Sequence, residues 1–97
     1  MALIEVLTFR LQAGADEAAF LAADARVQQE FAYHQRGLVR RTTAKGADGE
    51  WAVIDLWWSG AEADACEAVW GEDDVTQAFM AFVDGPSVVS RRWETLD

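Results

Sequence analysis

The 97-residue chain carries a net charge of −9, enough length for one hydrophobic core and too little for two, so a single domain over residues 1–97 is expected. Its acidity argues against nucleic acid and anionic membranes as partners, because binding either needs a concentrated basic patch. One cysteine, Cys66, with no CxxC or cysteine–histidine cluster beside it, excludes an internal disulfide and the common zinc patterns.

Residues 3–11 alternate, with Leu3, Glu5, Leu7, Phe9 and Leu11 against Ile4, Val6, Thr8 and Arg10. Apolar groups on both faces predict a central strand. Gln12-Ala13-Gly14 breaks it. Asp16 is placed to cap a helix whose Phe20, Ala23, Val27, Phe31 and His34 recur at three- and four-residue spacing. The helix is expected to stop near Arg36-Gly37, where glycine suits the left-handed turn.

Residues 38–45 read as a second, more polar strand, and Gly46-Ala47-Asp48-Gly49 supplies the short turn of a hairpin. The third strand, Glu50 to Trp58, sends Trp51, Val53, Asp55 and Trp57 to one face and Ala52, Ile54, Leu56 and Trp58 to the other. Ser59 and Glu62 have capping-box spacing and predict the start of a second helix. Ala65, Cys66, Val69 and Trp70 form its expected apolar side. Gly71 interrupts it, and Glu72-Asp73-Asp74 restarts it at an acid-favouring N-terminus. Val75, Phe79, Phe82 and Val83 continue the apolar side to Gly85-Pro86, and Val88, Val89 and Trp93 fall in the last strand.

This order is βαββαβ with the second helix broken in two, an α+β, ferredoxin-like pattern with an antiparallel sheet. Helices cover one face of such a sheet. The opposite face still carries Trp, Ile and Leu, and a second copy of the chain is the simplest cover, so a homodimer is expected. No apolar run approaches the roughly 20 residues of a membrane span. The start of the chain has no basic segment followed by an apolar run and a small-residue cleavage site, so the protein is expected in the cytoplasm.

Several of these stretches resemble the antibiotic biosynthesis monooxygenase-like group of the dimeric α/β-barrel superfamily. The resemblance spans almost the whole chain and rests on Gly37-Leu38-Val39, the Asp48-Gly49 hairpin and Trp57-x-Ser59 before an alanine-rich helix. Phe79, Phe82, Val83 and Asp84 before Pro86-x-Val88 extend it. It implies two ferredoxin-like subunits with their sheets face to face, each with a pocket between sheet and helices. Members include cofactor-free oxygenases of aromatic polyketides and haem-degrading enzymes. The haem-degrading branch uses an Asn/Trp/His arrangement, and the oxygenases count an asparagine among their polar pocket groups. This chain has no asparagine, so neither set carries over intact, and Trp57 is the position that matches.

Two residues are candidate catalytic groups. His34, the sole imidazole, stands at the end of the first helix, where it serves as a base or haem ligand at a pocket mouth or merely bonds a terminal carbonyl. Asp55 sits mid-strand among apolar neighbours, where an unpaired charge is costly. It is either an ion-pair member, with Arg40, Arg41, Arg91 or Arg92 as partner, or a general base of raised pKa. Glu5 raises the same question in the first strand. Trp57, Trp70, Phe79 and Arg41 are the candidate substrate-binding residues.

No phosphate loop or nucleophile motif is present, and no tightly bound cofactor or metal is expected. Two readings follow: a cofactor-independent oxygenase acting on a small aromatic substrate, or a noncatalytic dimeric binding or structural protein in which the same groups only pack.

Overall fold

The computed structural model describes residues 1–96. Its elements are β1 (Leu3–Arg10), α1 (Glu17–Arg26), β2 (Leu38–Lys45), β3 (Glu50–Trp57), α2 (Gly60–Trp70), α3 (Asp74–Met80) and β4 (Val89–Glu94). The four strands form one antiparallel sheet in the order β2-β3-β1-β4. This is the ferredoxin-like arrangement, with β1 central and paired to β3 on one side and β4 on the other.

The register decides which face of the sheet turns inward. Phe9 pairs with Trp51, Leu7 with Val53 and Leu3 with Trp57, and Leu3, Phe9, Trp51, Val53 and Trp57 are all buried beneath the helices. The other parity faces outward: Ile54, Val89 and Trp93 are 36%, 53% and 47% exposed, and Ile4 pairs across the sheet with both Leu56 and Trp93.

Local chemistry accounts for most element ends. The Asp16 carboxylate accepts from the Ala18 and Ala19 amides and so starts α1. Beyond Arg26 the helix widens into a π turn over Val27–Phe31 and tightens into a 3-10 turn over Ala32–His34. Gly37, at φ +85°, ends this run, and a Cβ there would collide with the Glu62 side chain as well. The hairpin between β2 and β3 turns on Asp48 and Gly49, both at positive φ. Asp73 caps α3 by accepting from the Val75 amide, 2.8 Å away.

Three expectations need correction. Ser59 is the N-cap residue of α2, but its hydroxyl bonds to no helix amide and donates to the Glu62 carboxylate instead. Ala65 and Val69 are exposed; the sheet-facing stripe of α2 is Ala63, Cys66 and Trp70, because the 100° step per residue brings positions 63, 66 and 70 to one side. Phe82, Val83 and Val88 lie outside the regular elements, with Val83 bridging to Leu11 beyond the end of β1.

The core divides into two clusters. The larger joins Phe9, Phe20, Trp51 and Phe79 with Val27, Phe31 and their neighbours, and the smaller joins Leu3, Trp57 and Ala63. Edge-to-face ring contacts bind the larger one, among them Phe20 on Trp51 at 5.0 Å between centroids and Phe9 on Phe79 at 5.8 Å. Leu38 and Cys66 touch both clusters.

Candidate functional site

Between the sheet and the helices lies a cavity of about 300 Å³. Its floor is the inward face of the strands, including Leu7, Val53 and Trp57, and α2 and α3 roof it with Ala63, Cys66, Trp70, Phe79 and Met80. Val88 and Ser90 close the side nearest β4. The volume is at the lower end of the range for small-molecule sites, and apolar walls with a few polar groups are the usual composition of one.

Strand register lays a row of charges across this floor. Arg41 of β2 stands opposite Asp55 of β3, Asp55 opposite Glu5 of β1, and Glu5 opposite Arg92 of β4. The two ends of the row are paired. At one end Arg41 is 3% exposed and donates to Asp24 at 2.7 Å and to Gln28 at 3.0 Å, both on the first helix and its π turn. Its guanidinium also lies over the Phe79 ring, 5.8 Å from the centroid. At the other end Arg92 donates to Glu5 at 2.7 Å, Asp64 at 2.5 Å and Glu67 at 3.2 Å, linking β1, β4 and α2.

Asp55, in the middle, forms no ion pair among the described residues, and its buried Oδ1 has no hydrogen-bond partner. Burial pushes its carboxyl up to about 6, partly opposed by the Arg41 charge and reinforced by the Glu5 carboxylate. Trp57, 2% exposed, also buries a polar atom without a partner, its Nε1. Asp55 and Trp57 both line the chamber, and each buries one polar atom without a partner. Buried polar groups are nearly always satisfied, so such a pair needs an explanation. Burial likewise pushes the Cys66 thiol up to about 11, with the Asp55 and Glu5 charges adding to the effect, which leaves it protonated and a poor nucleophile at neutral pH.

Of the residues singled out from sequence, Asp55, Trp57, Trp70, Phe79 and Arg41 converge on this cavity. His34 does not: it is exposed on the 3-10 turn and lines no part of the chamber. Arg41 finds its anion on the first helix rather than across the hairpin. Asp24 went unnoticed in the sequence, although it stands four residues after Phe20 on the buried stripe, where a carboxylate signals a cation to come. Among the described residues no group of three or more His, Cys, Asp or Glu side chains is arranged to hold a metal ion, and no helix is long and apolar enough to cross a membrane.

No family model and no curated protein matches the sequence, whereas solved structures match over the full length of the fold. The cofactor-independent oxygenase SnoaB from Streptomyces nogalater superposes with a TM-score of 0.79 at 19% identity, covering 99% of this chain and 94% of that one. Rv0793 from Mycobacterium tuberculosis gives 0.70 at 17% identity, with 100% and 97% covered. A candidate antibiotic biosynthesis monooxygenase from Chloroflexus aurantiacus gives 0.75 at 10% identity, with 100% and 95% covered. At these identities the likeness is one of backbone, and the chain has the ferredoxin-like fold of the antibiotic biosynthesis monooxygenase-like proteins.

Proposed function

We propose that the chain is a cofactor-independent oxygenase of small, electron-rich phenols, acting in the cytoplasm as a homodimer. The observation that carries the reading is the unmet pair in the cavity: Asp55 Oδ1 lacks a donor and Trp57 Nε1 lacks an acceptor. A phenolic hydroxyl supplies both, donating to the carboxylate and accepting from the indole. The flat ring then lies among Trp70, Phe79 and the aliphatic floor. The backbone likeness to an oxygenase described as cofactor-independent supports the same chemistry.

The step asks little of the protein beyond a base and a dry wall. Asp55 takes the phenolic proton, and a carboxyl pKa of about 6 keeps it largely ionised at pH 7 while leaving it a stronger base than an exposed aspartate. The phenolate donates electrons to dioxygen. One oxygen atom replaces hydrogen at a ring carbon ortho or para to the hydroxyl, giving a quinone, and the other leaves as water. All four electrons come from the substrate, so no external reductant is consumed. Arg41 borders the site as a buried guanidinium whose charge is shared with Asp24, so the walls and the base, rather than a free cation, carry the step.

The homodimer is supported by the outward sheet face, where Ile54, Val89 and Trp93 leave apolar surface in water. A second sheet laid against it removes that surface. Light scattering at micromolar concentration is expected to give twice the chain mass, and Ile54→Glu to give the single mass.

Turnover is tested with an oxygen electrode and a hydroxylated naphthalene as substrate. Wild-type protein is expected to consume oxygen and quench tryptophan emission. Asp55→Asn is expected to keep the quenching and lose at least about 100-fold in rate, the usual scale for removing a general base. Quenching without oxygen uptake in the wild type supports the noncatalytic binding reading instead; the absence of asparagine favours that reading or an altered chemistry.

A further inference from the structure

The charges around the cavity do not balance, and the imbalance selects among aromatic ligands. Three carboxylates border the chamber, Glu5, Asp55 and Glu67, with Arg41 the one cation beside them. Arg41 is already matched by Asp24. Arg92, opposite Glu5 on β4, is shared among Glu5, Asp64 and Glu67. Five carboxylates against two guanidinium groups leave a net charge of −3, or −2 with Asp55 protonated. No lysine lines the cavity, and the remainder of the chain, which carries the rest of the total of −9, is acidic as well.

The polar groups also divide along the chamber. The unmet hydroxyl site lies at Asp55 and Trp57 on β3, whereas Glu5, Glu67 and Ser90 lie toward β4. The Glu5 side chain is one-fifth exposed and that of Glu67 about three-quarters exposed. The β4 side is therefore the wetter, more acidic end, and the β3 side the drier end that fixes a ring hydroxyl.

We propose that the cavity selects phenols carrying a protonated amine, with the hydroxyl held between Asp55 and Trp57 and the ammonium group seated against Glu5 and Glu67. The inference rests on the phenol-binding reading of the same cavity and adds to it the charge class of the ligand. A carboxylate at the far end of the ring meets Glu5 and Glu67 with no free cation to offset them, so anionic phenols are turned away. An ammonium group gains both carboxylates and keeps its remaining proton in contact with water at the exposed rim.

Three para-substituted phenols that differ chiefly in charge separate these cases: tyramine, 4-ethylphenol and 4-hydroxyphenylacetate, titrated against tryptophan emission at pH 7 and low salt. Tyramine is expected to bind about tenfold tighter than 4-ethylphenol, and the phenylacetate about tenfold weaker still, the scale of one screened charge contact for each step. Raising the salt to about 1 M is expected to compress the series, because it shortens the screening length to about 3 Å. Glu67→Gln, at an exposed position whose ion pair with Arg92 is in contact with water, is expected to lower the tyramine preference several-fold, and Glu5→Gln to lower it further. Equal affinities for all three probes, or tightest binding of the phenylacetate, overturn the charge selection and leave phenol binding standing. Failure of all three to bind overturns both.

Discussion

Two aspartates flank Arg41, and their surroundings differ in the way expected between a structural charge and the proposed base. Asp24, on α1, accepts from the Arg41 guanidinium at 2.7 Å and from the Thr43 hydroxyl at 2.9 Å. Asp55, across the strand pair from Arg41, accepts nothing at Oδ1 and opens on a cavity. Both sit near the same cation, so proximity to charge does not distinguish them. What does is whether the lone pairs are already used. A satisfied carboxylate beside a buried guanidinium holds two elements together; an unsatisfied one is costly, and a fold retains it where a ligand completes it.

The contrast is sharpest in stability. Removing the Asp24 carboxylate as Asp24→Ala strands a nearly fully buried guanidinium, and breaking such a pair from one side costs about 3–5 kcal/mol. Urea unfolding monitored by tryptophan emission is expected to show a loss on that scale, a large fraction of the total stability of an ordinary domain.

Asp55→Asn is expected to act in the opposite direction. An acid whose pKa is about 6 when folded and 3.8 when unfolded binds its proton more tightly in the folded chain. Its favourable share of stability is therefore complete below about pH 3.8 and is lost as the pH rises through 6. At pH 7 and above the neutral amide avoids that loss, and the variant is expected to be more stable than wild type by about 1–3 kcal/mol. The difference should shrink toward zero near pH 4, and thermal melts across pH 4–8 read it directly.

At the exposed end of the charged row the effect is smaller. Arg92 touches three carboxylates, but Asp64 and Glu67 keep most of their side-chain surface in water, so Arg92→Ala is expected to cost only about 0.5–1 kcal/mol. Ser59→Ala should cost less again, under about 0.5 kcal/mol, because the Ser59 hydroxyl caps no helix amide. A loss above about 2 kcal/mol at Arg92 would erase the distinction between a buried and an exposed terminus of the row.

The order of elements and the alternation within β1 and β3 were legible because period-two patterning and turn chemistry are local. The inward parity was not, since both faces of those strands are apolar and the inward one carries the charges Glu5 and Asp55. A chain that places carboxylates on its helix-covered face looks inverted until the cavity, Arg41 and Arg92 are seen together. Asp55 stood out from its own neighbours alone. Of its two alternatives, the ion pair with Arg41 is not formed, because strand register says which residues lie opposite and nothing about the helix above them, where Asp24 takes the same guanidinium. His34 followed the helical spacing of Phe31 and Val27, but the π turn and the 3-10 turn rotate it off that stripe and into water.

The most direct measurement is the titration of Asp55 itself, followed by its side-chain carboxyl carbon shift in labelled protein, with Asp55→Asn to identify the resonance. The expected midpoint is near 6 in the free protein, and 4-ethylphenol should shift it by completing the unmet acceptor. A midpoint below 4 that ignores the phenol would show Asp55 to be an ordinary ion-paired carboxylate, and would contradict its proposed role as the base of the cavity.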